Sequence, residues 1–449
     1  MTTLEVSKDI ELYQGEFSKL GATALDSGNA DLGKVRQAAI ARFGEIGFPT
    51  TRDEEWRFTN VSPIARTSFK LAGGDFNQVS SEMLKTAEIP GMKGPQAVFC
   101  NGHFVSELSS LGNLPKGVIV GSLAAAASHP AVRHHLAKHA NFENHAFVAL
   151  NTAFMQDGAF VYVPKGVVVE EPIHLLFVST SPGETGMSHP RNLIVAESNS
   201  QVQILESYSG TEEDVYLTNV VTEVVAGDGA VVDHYKLQRE GHKSYHIATI
   251  QVYQERSSNF STQSISFGAA ISRNDVNTIL DGEGCVGTLN GIYMIGGSQL
   301  ADNHTRIDHA KPNCESHELY KGILEDKSRG VFNGRIIVRQ DAQKTNSKQT
   351  NKSLLLSDQA LVNTNPQLEI FADDVKCTHG ATIGQIDEEH IFYLRSRGIS
   401  AAVARHLLVY AFANDIIRRI KIEPLRAELE MRVLKAQEIP TDFVFTEGA

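Results

Sequence analysis

The sequence predicts a mainly β protein: a stack of short strands flanked by helical ends. Three observations carry this. From about residue 158 to 386, short runs of Val, Ile, Phe, Tyr and Thr alternate with polar residues, and Gly, Asn and Asp punctuate them, as in strands joined by turns. The runs recur at a loosely constant interval. Gln201 to Ala230 and Ala230 to Asn259 are each 29 residues, and Asn259 to Cys285 is 26. Helical spacing of apolar residues returns only before residue 150 and after residue 387. A strand-filled period of this size points to a solenoid, coil stacked on coil, and so to a β-helix. Periodicity alone leaves a large β-sandwich or jelly roll open as well.

The chain has 449 residues, 41% hydrophobic and 21% charged, with a net charge of −12. That length allows two or three domains and a large core. The negative charge argues against nucleic acid or an anionic membrane as a partner. No apolar run approaches the roughly 20 residues that cross a bilayer. The first residues, MTTLEVSKDIELYQ, lack the basic and apolar regions of a signal peptide. A cytoplasmic location with reduced thiols is expected. Cys100, Cys285, Cys314 and Cys377 lie far apart, which excludes a CxxC zinc or redox motif.

Residues 1–150 read as an N-terminal helical and mixed domain. Val35, Ala38, Ala39, Ile40 and Phe43 predict a helix over Leu32 to Phe48, stopped by Gly47 and Pro49. PTTRDEEWRFTNVSPI follows as an ordered loop pinned by burial of Trp56, the only tryptophan. AVFCNGHFV alternates as a strand. His129 to His145 reads as one helix with Pro130 at its first position. His135 and His139 share a face there, but the acid of an HExxH site is missing. Residues 151–386 form the strand stack, where Asn346, Asn351, Asn363 and Asn365 suit turns. Residues 387–449 form a C-terminal helical domain. Glu388 to Arg397 begins with acids and ends with bases before Gly398. Ser400 caps the next helix, with Val403, Leu407, Leu408, Ala411, Phe412, Ile416 and Ile420 as its apolar stripe. Pro424 opens a third helix, whose seam is Leu425, Leu429 and Val433.

The chemistry concentrates in EIFADDVKCTHGATI, Glu369 to Ile383, the last strand-like stretch. Cys377 and His379 are two residues apart, so on a strand they project from one face. A thiol beside an imidazole suits iron, zinc or sulfur chemistry. Two ligands leave a metal site incomplete, and on the pair alone a buried thiol beside a hydrogen-bonded histidine is the favoured reading. Asp302, His304, Asp308, His309, Cys314 and His317 crowd into DNHTRIDHAKPNCESHE, but their spacing fits no metal motif and reads as a polar surface loop. Lys344, Lys348 and Lys352 read as a solvated turn. Gly282, Gly284 and Gly287 match GxGxxG, yet a strand-like run follows where a dinucleotide fold needs a helix. There is no GxxxxGK[ST] phosphate loop, so the chain is not an ATPase by that route.

PTTRDEEWRFTNV, LNTAFMQDGAFVYVPKGVVVEEPIHLLF, the long stretch from GVFNGRIIVRQ to DDVKCTHGATIG, and IFYLRSRGIS resemble the SUF-system iron–sulfur cluster assembly scaffolds, the SufB/SufD family. The KCTHGAT form resembles the D-type paralogue; the B-type form reads roughly EHEA at residues 377–380. The resemblance implies a right-handed parallel β-helix between helical ends. It implies a complex with one B-type subunit, joined through the β-helix edge, and an ABC-type ATPase, SufC, with sulfur donor proteins acting indirectly. It also implies that His379 and Cys377 lie at the interface where a transient Fe–S cluster forms, with either as a ligand shared with the partner. Ile391, Phe392, Tyr393, Arg395, Arg397 and Gly398 match the ATPase-contact region. A reduced flavin belongs to the family complex, although no motif here supports it. The expected function is that of a non-catalytic scaffold subunit. The alternatives are the B-type cluster carrier, a purely structural adaptor, and a β-helix enzyme acting on polysaccharides.

Overall fold

A strand pattern repeating near every 30 residues pairs most readily with its own copy one coil away. In the computed structural model, which describes residues 3–436 apart from residues 29, 75, 76, 78 and 182, the chain does this. It winds into a parallel β-solenoid of about eight turns. Each coil adds one strand to each of two sheets, which reach 11 and 10 strands. In the 10-stranded sheet, Gln201, Val231, Asn259, Val286, Glu315, Asn346 and Lys376 stand one above another. The sandwich alternative is thereby excluded, because consecutive strands alternate between sheets rather than pairing as hairpins.

The two ends of the stack differ. At the N-terminal end, antiparallel pairs close it: Gln96–Cys100 with His103–Phe104, and Ile119–Ser122 with Ala159–Val163. At the C-terminal end, the strands Leu361–Ile370 and Lys376–Gly384 are the last of their sheets and pair on one side only. Their outer backbone groups are free to pair.

The pleat sorts each strand into an axial row and an outer row. Near the closed end the axis is apolar, and the rings of Phe99, Phe177 and Tyr208 stack with centroids 4.6 and 4.8 Å apart. Such pairs add about 0.5–1.5 kcal/mol each beyond the area they bury. The outer face of the 11-stranded sheet packs under the N-terminal helices. Leu217 and Ile247 meet Tyr13, Phe43, Trp56 and Phe147 in one buried cluster. The outer face of the 10-stranded sheet packs under the C-terminal helices, where Leu205, Tyr235, Leu237, Ile292 and Ile323 meet Val409, Ala413, Ile416, Leu425 and Leu429.

Several sequence expectations hold closely. The predicted N-terminal helix spans Ala30–Ile46, and Trp56 is buried against Phe147. The C-terminal helices are Glu388–Arg395, Ala401–Ile417 capped by Ser400, and Glu423–Ala436, which buries Leu425, Leu429 and Val433. Others do not. The single helix over His129 to His145 is instead a short helix, Pro130–His135, followed by a turn with Ala137 at φ +59. The buried Glu223 carboxylate accepts the backbone N–H groups of Ala137, His139 and Ala140, holding them out of a helix. The asparagines expected in turns lie in the strands Asn346–Leu355 and Leu361–Ile370. DNHTRIDH is no surface loop but the strand Leu300–His309. In Ala401–Ile417 the buried stripe is Ala404, Val409, Ala413, Ile416 and Ile417. Small Ala404 and Ala413 let the helix lie close to the sheet, and Leu407 and Ala411 turn toward a groove beside the helix.

Candidate functional site

The strand Lys376–Gly384 places Cys377 over Ser347 and His379 over Gln349. Ser347 and Gln349 are buried on the axial row, whereas Lys348 between them is exposed. Cys377 and His379 therefore face the solenoid axis in its last coil, not its outer surface. Cys377 packs against the axial core yet is only partly covered, and His379 is exposed. Burial pushes the Cys377 thiol above its usual range. It is the only one of the four free cysteines that is not fully buried. Around this open end, Leu361, Ile370, Phe371 and Ile383 leave large apolar side chains exposed, Phe371 at 63%. An apolar rim around two potential ligands marks an interaction surface.

The second sequence-predicted patch is split. Ile391 is buried in the cluster under the C-terminal helices and anchors its helix. Phe392 and Tyr393 point outward, 72% and 55% exposed. The Arg397 guanidinium lies 4.5 Å from the Tyr393 ring centroid, Arg395 is exposed in the last helical turn, and Gly398 takes φ +84 to end the turn. Beside them, Leu394, Leu407, Leu408, Tyr410 and Ala411 line a groove of about 550 Å³.

The remaining ligand types do not converge. Asp302, His304 and Asp308 face outward on their strand, while His309 and Cys314 are buried and His317 is exposed. Among the described residues no cluster of three or more metal-ligating side chains forms. His135 and His139 do meet, Nδ1 to Nε2 at 3.1 Å, and burial depresses both, His135 to about 4. Cys285 and Cys314 occupy adjacent coils, and both thiols donate to the Gly282 carbonyl.

Sequence reading missed two charged networks. Beneath the N-terminal loop, Arg273 bridges Asp275 and Asp302 at 2.9 and 2.8 Å and stacks on Trp56 at 3.7 Å. His304 Nε2 lies 3.0 Å from Asp302 and Nδ1 3.1 Å from Glu55. Glu55, Trp56, Arg273, Asp275 and His304 line a groove of about 730 Å³. Inside the solenoid, Lys236 Nζ lies 2.7 Å from His246 Nε2, and His246 Nδ1 lies 2.6 Å from Glu240. Burial lowers Lys236 to about 8. Alternation did mark Asp233-His-Tyr-Lys as a strand, but not which row faced inward.

The fold is a parallel β-solenoid with a closed end, an open end carrying a thiol and an imidazole, and helical flanks, an architecture that does not by itself fix a function. Comparison with known proteins supplies the family. Residues 8–175 match the SufBD protein N-terminal region, and residues 177–412 match the SufBD core domain of SUF-system FeS cluster assembly. The chain belongs to the SufBD family. An iron–sulfur cluster assembly SufBD family protein of Synechocystis is 36% identical over 433 residues, covering 93% of this chain and 94% of that protein. The iron–sulfur cluster assembly protein SufD of Escherichia coli is 30% identical over 406 residues, covering 90% and 92%. SufD of Bacillus subtilis is 31% identical over 324 residues, covering 70% and 72%. These likenesses support a part in SUF iron–sulfur cluster assembly. No helix among the described residues is long and apolar enough to cross a membrane.

Proposed function

We propose that this chain is a non-catalytic, D-type scaffold subunit that builds nascent iron–sulfur clusters at a seam shared with a B-type subunit. The observation that carries this is the axial placement of Cys377 and His379 at the open, apolar-rimmed end. A partner of the same architecture would extend both sheets by backbone pairing and bring its own ligands over the two side chains. The cluster is cargo here, not a resident cofactor. His379 offers a ring nitrogen to iron or orients a partner thiolate, and Cys377 serves as a second thiol ligand.

The ABC-type ATPase docks on the outward face of Phe392, Tyr393, Arg395 and Arg397 and the adjoining groove. Nucleotide energy comes from that partner, and sulfur arrives through donor proteins bound elsewhere in the complex. The cytoplasm keeps the four free thiols reduced. The reduced flavin of the family complex is assigned to no residue of this chain.

The test is anaerobic cluster assembly on the co-expressed complex with His379→Ala and Cys377→Ala. With His379→Ala the complex is expected to stay assembled and hydrolyse ATP while holding little iron and sulfide. Normal cluster yield from that variant would leave only the adaptor role.

A further inference from the structure

The axial row that ends in His379 continues downward through Gln349 and Glu318, one residue per coil. Neighbouring strands lie about 4.8 Å apart, so Gln349 occupies the position one coil beneath His379. Gln349 Nε2 donates to Glu318 Oε2 at 2.7 Å. Both residues are buried, and among the described residues the Gln349 carboxamide oxygen has no hydrogen-bond partner. A buried acceptor in that state is costly, on the order of 1–3 kcal/mol. The position is also built for this amide. On the facing sheet Gly334 leaves the space it occupies, and a Cβ at residue 334 would overlap the Gln349 amide and crowd the Phe332 ring. Glu318 keeps an acceptor oxygen whether or not it carries a proton, so it holds the amide by its N–H₂ end in either state.

We propose that Glu318 and Gln349 are positioning residues for His379. With the exposed His379 ring turned toward the axis, the open Gln349 oxygen accepts from one ring nitrogen, fixing the tautomer and leaving the other nitrogen's lone pair at the open end. A ligating histidine needs this, since the hydrogen bond at one nitrogen decides which nitrogen is free for metal. The inference rests on the scaffold reading above but makes a claim about the free chain that needs neither iron nor partner.

The experiment is long-range ¹H–¹⁵N correlation on the full-length chain with ring-labelled histidine at pH 8, His379 being identified by its loss in His379→Asn. In the wild type, the two His379 nitrogens are expected at well-separated shifts, one protonated and one not. In Gln349→Leu they should converge as the tautomers mix. Glu318→Gln, which still accepts from the Gln349 amide, should retain the separation, and Glu318→Leu should reduce it. If Gln349→Leu does not fold, Gln349→Asn withdraws the oxygen by one methylene and should give the same convergence. Identical His379 shifts in wild type and the Gln349 variant overturn the proposal. That failure is distinct from failure of the scaffold reading, which is decided by cluster yield with His379→Ala.

Discussion

His304 should behave as a cation well above neutral pH, and Trp56 reports it. Burial and the Arg273 charge oppose an imidazolium there, but the Asp302 carboxylate and its hydrogen bond, with Glu55 beyond, outweigh them and raise His304 from 6.5 to about 9. Asp302, against the cost of burial, is held down to about 2 by the charges of His304 and Arg273. Asp275 and His145 also face this network. One pKa unit corresponds to about 1.4 kcal/mol, so protonated His304 contributes on the order of 3 kcal/mol. Most of that belongs to buried Asp302; the Glu55 side chain is 55% exposed, and its link is worth little. The folded pKa lies above the unfolded one. The contribution is therefore complete below about pH 6.5, fades as pH rises, and is gone above about 9. Trp56 stacks on Arg273 in the same network and is the only tryptophan. Its emission, excited selectively, is expected to shift red with a midpoint near pH 9, as the Glu54–Trp56 turn loosens. His304→Gln should remove the transition. A midpoint near 6.5, or matching curves for wild type and variant, would refute the reasoning.

Three further outcomes follow from the packing. Native thiol labelling should modify Cys377 alone, slowly at neutral pH because burial keeps its thiol protonated; unfolding should expose all four, and fast labelling of two or more native thiols would contradict the axial placement. Glu223→Gln should cost about 3–5 kcal/mol, because it leaves fully buried Arg191 without its carboxylate, now 2.7 Å away, and weakens three backbone hydrogen bonds; an unchanged urea midpoint would count against that. Lys321 ties the C-terminal helix to the solenoid through Asp415 at 2.6 Å and the Phe412 carbonyl, so Lys321→Met should hasten proteolytic release of residues 388–436 without disturbing the solenoid, and equal cleavage rates would show that apolar packing alone holds the helices.

Much of the fold was legible because its signals are local. Turn residues and alternation located the strands, and caps such as Ser400 located helix starts. The 26- and 29-residue intervals came within one residue of the row Gln201, Val231, Asn259 and Val286, since Ala230 and Cys285 each stand one place before their row members. Local rules failed where a distant group intervened. His129 to His145 has helical spacing, yet Glu223, some 80 residues on, takes the backbone donors that would have continued the helix. The candidate pair itself was legible as two ligands on one strand face. What that face looks onto was not, because a single strand carries no mark of inside or outside.

The sequence by itself determined the strand stack, its period, the helical ends and the Cys377/His379 pair, since spacing of two and of 3.6 residues is written along the chain. Tertiary structure decided which row points inward. In Val231–Arg239 the polar row of His234, Lys236 and Gln238 faces the axis, while Tyr235 and Leu237 lie beneath the C-terminal helices. The reason is that both sheet faces are covered. Helices supply an apolar surface on the outside, and coil-to-coil stacking lets buried polar side chains on the inside find one another. The same stacking carries Glu318 and Gln349 up to His379, an alignment between residues 30 or more apart that exists only once the coils are wound.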